Sequence, residues 1–213
     1  RQLSMAEIIK QVVYCYSINY PIKNIVFMGM GEPLMNYENV LAAIDYLTDK
    51  TTYDISNRSI TVSTAGYMAG LKRLIKDKRA LNLAFSVGSA DPIKRIRFMP
   101  IEKRNSIIDF VRVLNEYQQM HNRKVTLEYT LLEDVNDTDY DVKSLLNLSR
   151  YLNAKINLIN LNPHFKIPFK PISVKKLHAI RDVLKKNKCR VTIRYKKGQD
   201  IVAACGQLGE SYL

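Results

Sequence analysis

Six short runs of apolar and β-branched residues, at 24–28, 59–63, 81–87, 124–129, 156–161 and 189–195, alternate with amphipathic stretches near 39–47, 67–76, 106–121, 140–152 and 173–186. Strand and helix in strict alternation imply a parallel sheet joined by right-handed crossovers. The chain opens on a helix. Ser4-Met-Ala-Glu7 is a capping-box signature, and Ile8, Ile9, Val12, Val13 and Tyr16 follow at helical spacing. A length of 213 residues, 46% of them hydrophobic, supports one sizeable core and not two. No proline- or serine-rich linker and no repeat of fixed period breaks the alternation, so residues 1–213 are expected to form a single α/β domain. Periodicity alone leaves a doubly wound sheet and a (βα) barrel both open.

Either architecture gathers its active-site groups in the loops after the strands. Those loops read Gly29-Met-Gly31-Glu32-Pro33, Ser63-Thr64-Ala65-Gly66, Ser86-Val87-Gly88-Ser89, Asn162-Pro163-His164 and Ala204-Cys205-Gly206-Gln207. Glycines let backbone approach a ligand, while Ser, Asn and Glu supply directed donors and acceptors. Each loop by itself also has a bland reading as a turn or a helix cap. Their joint placement on one rim points to a site for a polar small molecule. The glycine spacing is neither GxGxxG nor a Walker loop, so dinucleotide and phosphate-loop readings lack support. Cys15 and Cys189 read as apolar filler, whereas Cys205 sits in a glycine-flanked loop at the expected rim, where a thiol can act as nucleophile or methyl carrier. His121, His164 and His178 lie far apart with no metal-ligand spacing; only His164 borders the rim.

Charge bears on partners. The net charge is +13, and eleven Lys or Arg residues fall between Lys170 and Lys197 beside a single acid, Asp182. Smaller clusters run Lys72, Arg73, Lys76, Lys78, Arg79 and Lys94, Arg95, Arg97. Such an excess favours a polyanion, with nucleic acid the foremost candidate, over a set of merely solvated helix faces. Three cysteines without CxxC spacing suit a reducing cytoplasm, and no apolar stretch is long enough for a membrane span.

Taken in order, the segments RQLSMAEIIKQV, FMGMGEPLMN, RSITVSTAG, RFMPI, INLIN, LNP and DIVAACGQL resemble the radical S-adenosylmethionine (SAM) RNA methyltransferases of the RlmN/Cfr family. They cover essentially the whole chain, and the proline of GMGEP is closer to the RlmN branch. The resemblance implies a partial (βα) barrel of the radical SAM type, with its first strand and cluster loop outside this chain. It implies that Gly31 and Glu32 contact the SAM amino group, the Glu32 carboxylate pairing with the ammonium. It further places Ser63 and the Ser86, Val87, Gly88 segment against the ribose or carboxylate side, Asn162 against the adenosine, and Cys205 as the methyl-carrying cysteine. The implied activity is methylation of an adenosine, at C2 in the RlmN branch, in 23S ribosomal RNA and in tRNA. There a SAM-derived radical abstracts hydrogen from the S-methyl group, and the resulting carbon radical adds to the base. An electron donor for cluster reduction, a cytoplasmic location and a monomeric state are expected with it.

Two departures from the family qualify that expectation. The C-x3-C-x2-C motif that holds the [4Fe–4S] cluster is absent, and Cys15, Cys189 and Cys205 cannot replace it. Residue 1 is Arg, so the chain is expected to be a fragment, inactive in isolation, of a longer enzyme. The segment SVGSAD also carries Gly88 where the family has a histidine among its SAM contacts. The competing expectation is a non-catalytic RNA-binding paralogue that kept the fold. A third, an unrelated (βα) enzyme for a phosphorylated small molecule, lacks a phosphate loop.

Overall fold

The computed structural model describes residues 1–162 and 168–194. Helix α1, Met5–Ser17, starts at Ser4, whose side chain and that of Glu7 satisfy each other's backbone amides in the capping box read from the sequence. Six strands follow: β1, Ile25–Phe27; β2, Ile60–Thr64; β3, Asn82–Ser86; β4, Thr126–Leu131; β5, Lys155–Asn160; and β6, Val191–Arg194. Between them lie α2, Tyr37–Thr48; α3, Met68–Lys76; α4, Pro92–Arg95; α5, Ile107–His121; α6, Asp139–Tyr151; and α7, Val174–Lys186. All six runs read as strands from the sequence are strands. The short α4 is an addition, started by Asp91, whose side chain accepts from the amides of Ile93 and Lys94.

The sheet is entirely parallel, with the strands in sequential order β1 to β6. That order settles the architecture. A doubly wound sheet needs a point where strand order reverses, so that later helices land on the opposite face. Here right-handed crossovers never reverse, and every helix between strands falls on the same face. The result is a half-barrel with an outer helical layer.

The two faces differ in composition as their coverage requires. One is fully apolar: Val62, Leu83, Phe85, Leu127, Tyr129, Ile156 and Leu158 are almost completely buried beneath the helices. Phe85 meets Phe110 of α5 at 4.8 Å between ring centroids, a pair worth about 1 kcal/mol beyond its buried area. The alternate positions face the concave side and are mostly polar, with Val26, Ala84 and Ile159 the apolar exceptions. Pairing places Ser86, Glu128, Asn157 and Thr192 side by side across β3, β4, β5 and β6. Runs that look continuously apolar in sequence thus carry one polar residue at every second position that matters for the site.

Two of the three basic clusters are partly engaged in ion pairs within the fold. Arg95 is 1% exposed, ion-paired to Glu102, and donates to the carbonyls of Val87 at 2.8 Å and Ala65 at 2.6 Å. Lys94 pairs with the fully buried Asp141 at 2.7 Å. Arg73 pairs with Glu38 and Asp77, and Arg79 with Asp45. Lys94 and Arg95 are thus tied into the fold, while Lys72, Lys76, Lys78 and Arg97 of the same clusters are exposed. Around α7, Lys176 pairs with Asp137 and Arg181 with Asp182, while Lys175, Lys185, Lys186 and Arg190 are exposed.

Candidate active site

A cavity of about 550 Å³ opens where the strands end. It is walled by the loop after β1 (Gly29, Gly31, Glu32), the end of β2 (Ser63, Thr64, Ala65), the end of β3 (Ser86, Gly88) and the concave face of β4 (Glu128, Thr130). Phe98, Met99 and Phe169 supply an apolar flank, with Phe98 and Phe169 edge-on at 5.9 Å. Of the residues singled out in the sequence, Gly31, Glu32, Ser63, Ser86 and Gly88 therefore meet around one space.

The loop after β1 is built so that its backbone can bend and stay open. Gly31 has φ +78°, a left-handed conformation that glycine adopts without strain, and a Cβ at Gly29 or Gly31 would meet nothing within 4 Å. The carboxylate of Glu32 closes the loop at both ends. One oxygen accepts from the amide of Leu34 at 3.1 Å, capping a short 3-10 turn at Pro33–Asn36, and the other from the amide of Ala65 at 2.8 Å. Burial pushes its pKa up, partly opposed by those amides and the Thr64 hydroxyl. Glu32 thus has a structural task, joining the first two strand-end loops, whatever else it touches. Ser63 does not cap α3; Thr64 Oγ1 holds the turn before the helix, accepting from the amides of Gly66 at 3.1 Å and Tyr67 at 3.2 Å, and Asn105 Oδ1 accepts from the first helical amide, that of Met68, at 2.7 Å. Ser63 is left facing the cavity.

Gly88 also sits at positive φ, +66°, and a Cβ there would lie 2.3 Å from Met99 Sδ and 2.9 Å from Phe98. The space a side chain would take at position 88 is filled by these two residues. Val87 is fully buried and not a cavity-lining residue: its amide donates to the carbonyl of Glu128 at 3.0 Å and its carbonyl accepts from Arg95. Asn162 is buried and likewise not among the lining residues. Cys205, His164 and the segment DIVAACGQL lie outside the described residues.

Sequence reasoning missed Glu128 and Asn157. Both Glu128 oxygens accept from Asn157 Nδ2, at 2.9 and 3.2 Å, and Asn157 Oδ1 accepts from the Thr192 hydroxyl at 3.0 Å. Burial raises the Glu128 pKa, opposed by the Asn157 hydrogen bond and by the fields of Arg194 and Lys155. The available signal was a carboxylate in the middle of an otherwise β-forming run, TLEYTL. At the open side, the Arg194 guanidinium of β6 reaches Met28 Sδ, 2.8 Å away, linking the last strand to the loop after the first.

A one-sided parallel half-barrel with a polar cavity at the carboxyl ends of its strands is the catalytic frame of one large enzyme class. Residues 1–146 match the radical SAM superfamily, and the chain belongs to it. More particularly, it is 39% identical over 209 residues to a protein of Akkermansia muciniphila named probable dual-specificity RNA methyltransferase RlmN, covering 98% of this chain and 58% of that one. The dual-specificity RNA methyltransferase RlmN of Francisella tularensis subsp. novicida is 38% identical over 219 residues, covering 98% and 59%. A radical SAM methyltransferase from Sphaerobacter thermophilus superposes with a TM-score of 0.91 at 34% identity, covering 97% of this chain and 62% of that structure. The resemblance to the RlmN/Cfr family and the partial-barrel architecture are both borne out. The chain spans about three-fifths of the length of these relatives.

Proposed function

We infer that this chain is the SAM-binding core of an RNA methyltransferase that methylates an adenosine, at C2, in 23S ribosomal RNA and tRNA. The observation that carries the reading is the convergence of Gly31, Glu32, Ser63, Ser86 and Gly88 on one cavity, in a chain similar over nearly its whole length to proteins named RlmN. The cavity suits SAM chemically: a polar, glycine-walled end for a zwitterion and an apolar, aromatic flank for the remainder. Glu32 would accept from the ammonium with the lone pairs its two backbone amides leave free. Ser63 and Ser86 would hold the carboxylate or ribose, the backbone of Val87 and Gly88 would border them, and Asn162 would face the adenosine. Bound SAM supplies the methyl group, and Cys205 is the residue that would receive it.

Among the described residues no group of three His, Cys, Asp or Glu could hold a metal. Cys15, in α1, and Cys189, before β6, are both free thiols. These residues do not fit an iron–sulfur cluster. In the RlmN reading the cluster, an electron donor and a monomeric cytoplasmic enzyme belong to the intact protein. Among the described residues no helix is long and apolar enough to cross a membrane.

The test uses the intact protein with methyl-labelled SAM and ribosomal RNA or tRNA. The wild type is expected to transfer label to adenosine, with Cys205→Ala abolishing transfer. RNA binding without any transfer by the wild type would instead favour a non-catalytic RNA-binding role. Full activity of Cys205→Ala would remove the carrier cysteine from the mechanism.

A further inference from the structure

Among the described residues two carboxylates line the cavity, Glu32 and Glu128, and they are not equivalent. Glu32 is satisfied by backbone amides from two loops. Among the described residues, the Glu128 side chain, 8% exposed, receives only the neutral amide of Asn157, and no cation lies within ion-pair distance of it. A buried carboxylate without a cationic partner is costly. Nothing in the packing of β4 demands it, since Thr126 and Thr130 hold the neighbouring concave positions of the same strand. The sheet nevertheless fixes it with care. The Thr192 hydroxyl occupies Asn157 Oδ1, so Nδ2 must face Glu128, and register sets all three on adjacent strands. The remaining lone pairs of Glu128 look into the cavity beside Ser86, its neighbour across β3.

We propose that the Glu128–Asn157 pair is a recognition subsite for a positively charged group of the ligand bound in this cavity. The subsite rests on the reading of that ligand as SAM, which carries two such groups, an ammonium and a sulfonium. Asn157 and Thr192 are positioning residues: they hold the carboxylate without neutralising it, so that its charge is available to the ligand. A charge-assisted contact in a site shielded from water is the strong kind.

The experiment is calorimetric titration of the intact protein, wild type and Glu128→Gln, with three probes. SAM carries both cationic groups, S-adenosylhomocysteine only the ammonium, and 5′-methylthioadenosine neither. Gln preserves shape and still accepts from Asn157, so the fold is retained; a thermal melt checks this. Expected is a loss of about tenfold or more in SAM affinity with 5′-methylthioadenosine binding unchanged. An equal loss for S-adenosylhomocysteine assigns the contact to the ammonium, and a loss confined to SAM assigns it to the sulfonium. Glu128→Asp, still charged, is expected to keep the preference for SAM over the neutral probe. Unchanged SAM affinity in Glu128→Gln, or an equal loss for all three probes, overturns the proposal. Failure of the wild type to bind any of the three overturns the cofactor reading itself, and the subsite with it.

Discussion

At the scale of single residues, the site is made of side chains whose cost to the fold is visible. Burial raises the folded-state pKa of Glu128 above its ordinary 4.5. Between 4.5 and the raised value the folded state therefore holds more proton than the unfolded one, and stability falls as pH rises through that window. Asn157, Lys155 and Arg194 lessen the shift without cancelling it. Glu128→Gln does not titrate, so its stability relative to wild type is expected to climb from about pH 4.5 towards neutrality. Melting temperatures of both proteins across pH 4–8 check this, and a difference independent of pH would contradict it. A variant more stable at neutral pH yet poorer in SAM binding would mark Glu128 as kept for function. Gly88 shows a related trade. Its left-handed backbone and the close approach of Met99 and Phe98 leave no room for a side chain at position 88.

At the scale of elements, the strand-end loops are held by a few close contacts that sequence patterns do not display. Gly70 of α3 is one. A Cβ there would lie 2.6 Å from Leu34 Cβ and 3.0 Å from the Leu34 carbonyl, in the turn that follows the Gly29–Glu32 loop. Alanine would gain up to about 1 kcal/mol of helix propensity. Overpacking costs roughly 1–3 kcal/mol, and a backbone carbonyl cannot step aside cheaply. Gly70→Ala is thus expected to lose about 1 kcal/mol or more in chemical denaturation, and a gain would contradict this packing. The strands, the long helices and the Ser4 cap were legible because hydrophobic period and capping chemistry are local. Two things were not legible in period and capping, the partial barrel having come from the family resemblance. The one-sided sheet follows from strand order, a property of the whole chain. The Glu128–Asn157–Thr192 row exists only through register between strands far apart in sequence. Conversely, Lys94 and Arg95 looked like part of a basic patch because sequence displays charge but not burial or the partner carboxylates Asp141 and Glu102.

At the scale of the whole molecule, an uninterrupted succession of right-handed crossovers puts the helices outside and leaves a concave polar face. The rim of that face gathers the glycine loop, two serines and two carboxylates into one cavity, flanked by Phe98, Met99 and Phe169. Of the rim residues named from sequence, Gly31, Glu32 and Gly88 in loops and Ser63 and Ser86 at strand ends converged, while Asn162, two residues past β5, did not. Val87 turned into the core because the alternation of a strand sends every second side chain inward. The central claim, that this cavity is the SAM site, is tested most directly by a crystal structure of the intact protein with S-adenosylhomocysteine. The ligand is expected in the cavity, its amino-acid end against Gly31 and Glu32 and its ribose near Ser63 or Ser86. A ligand bound elsewhere, with this cavity filled only by water, would contradict it.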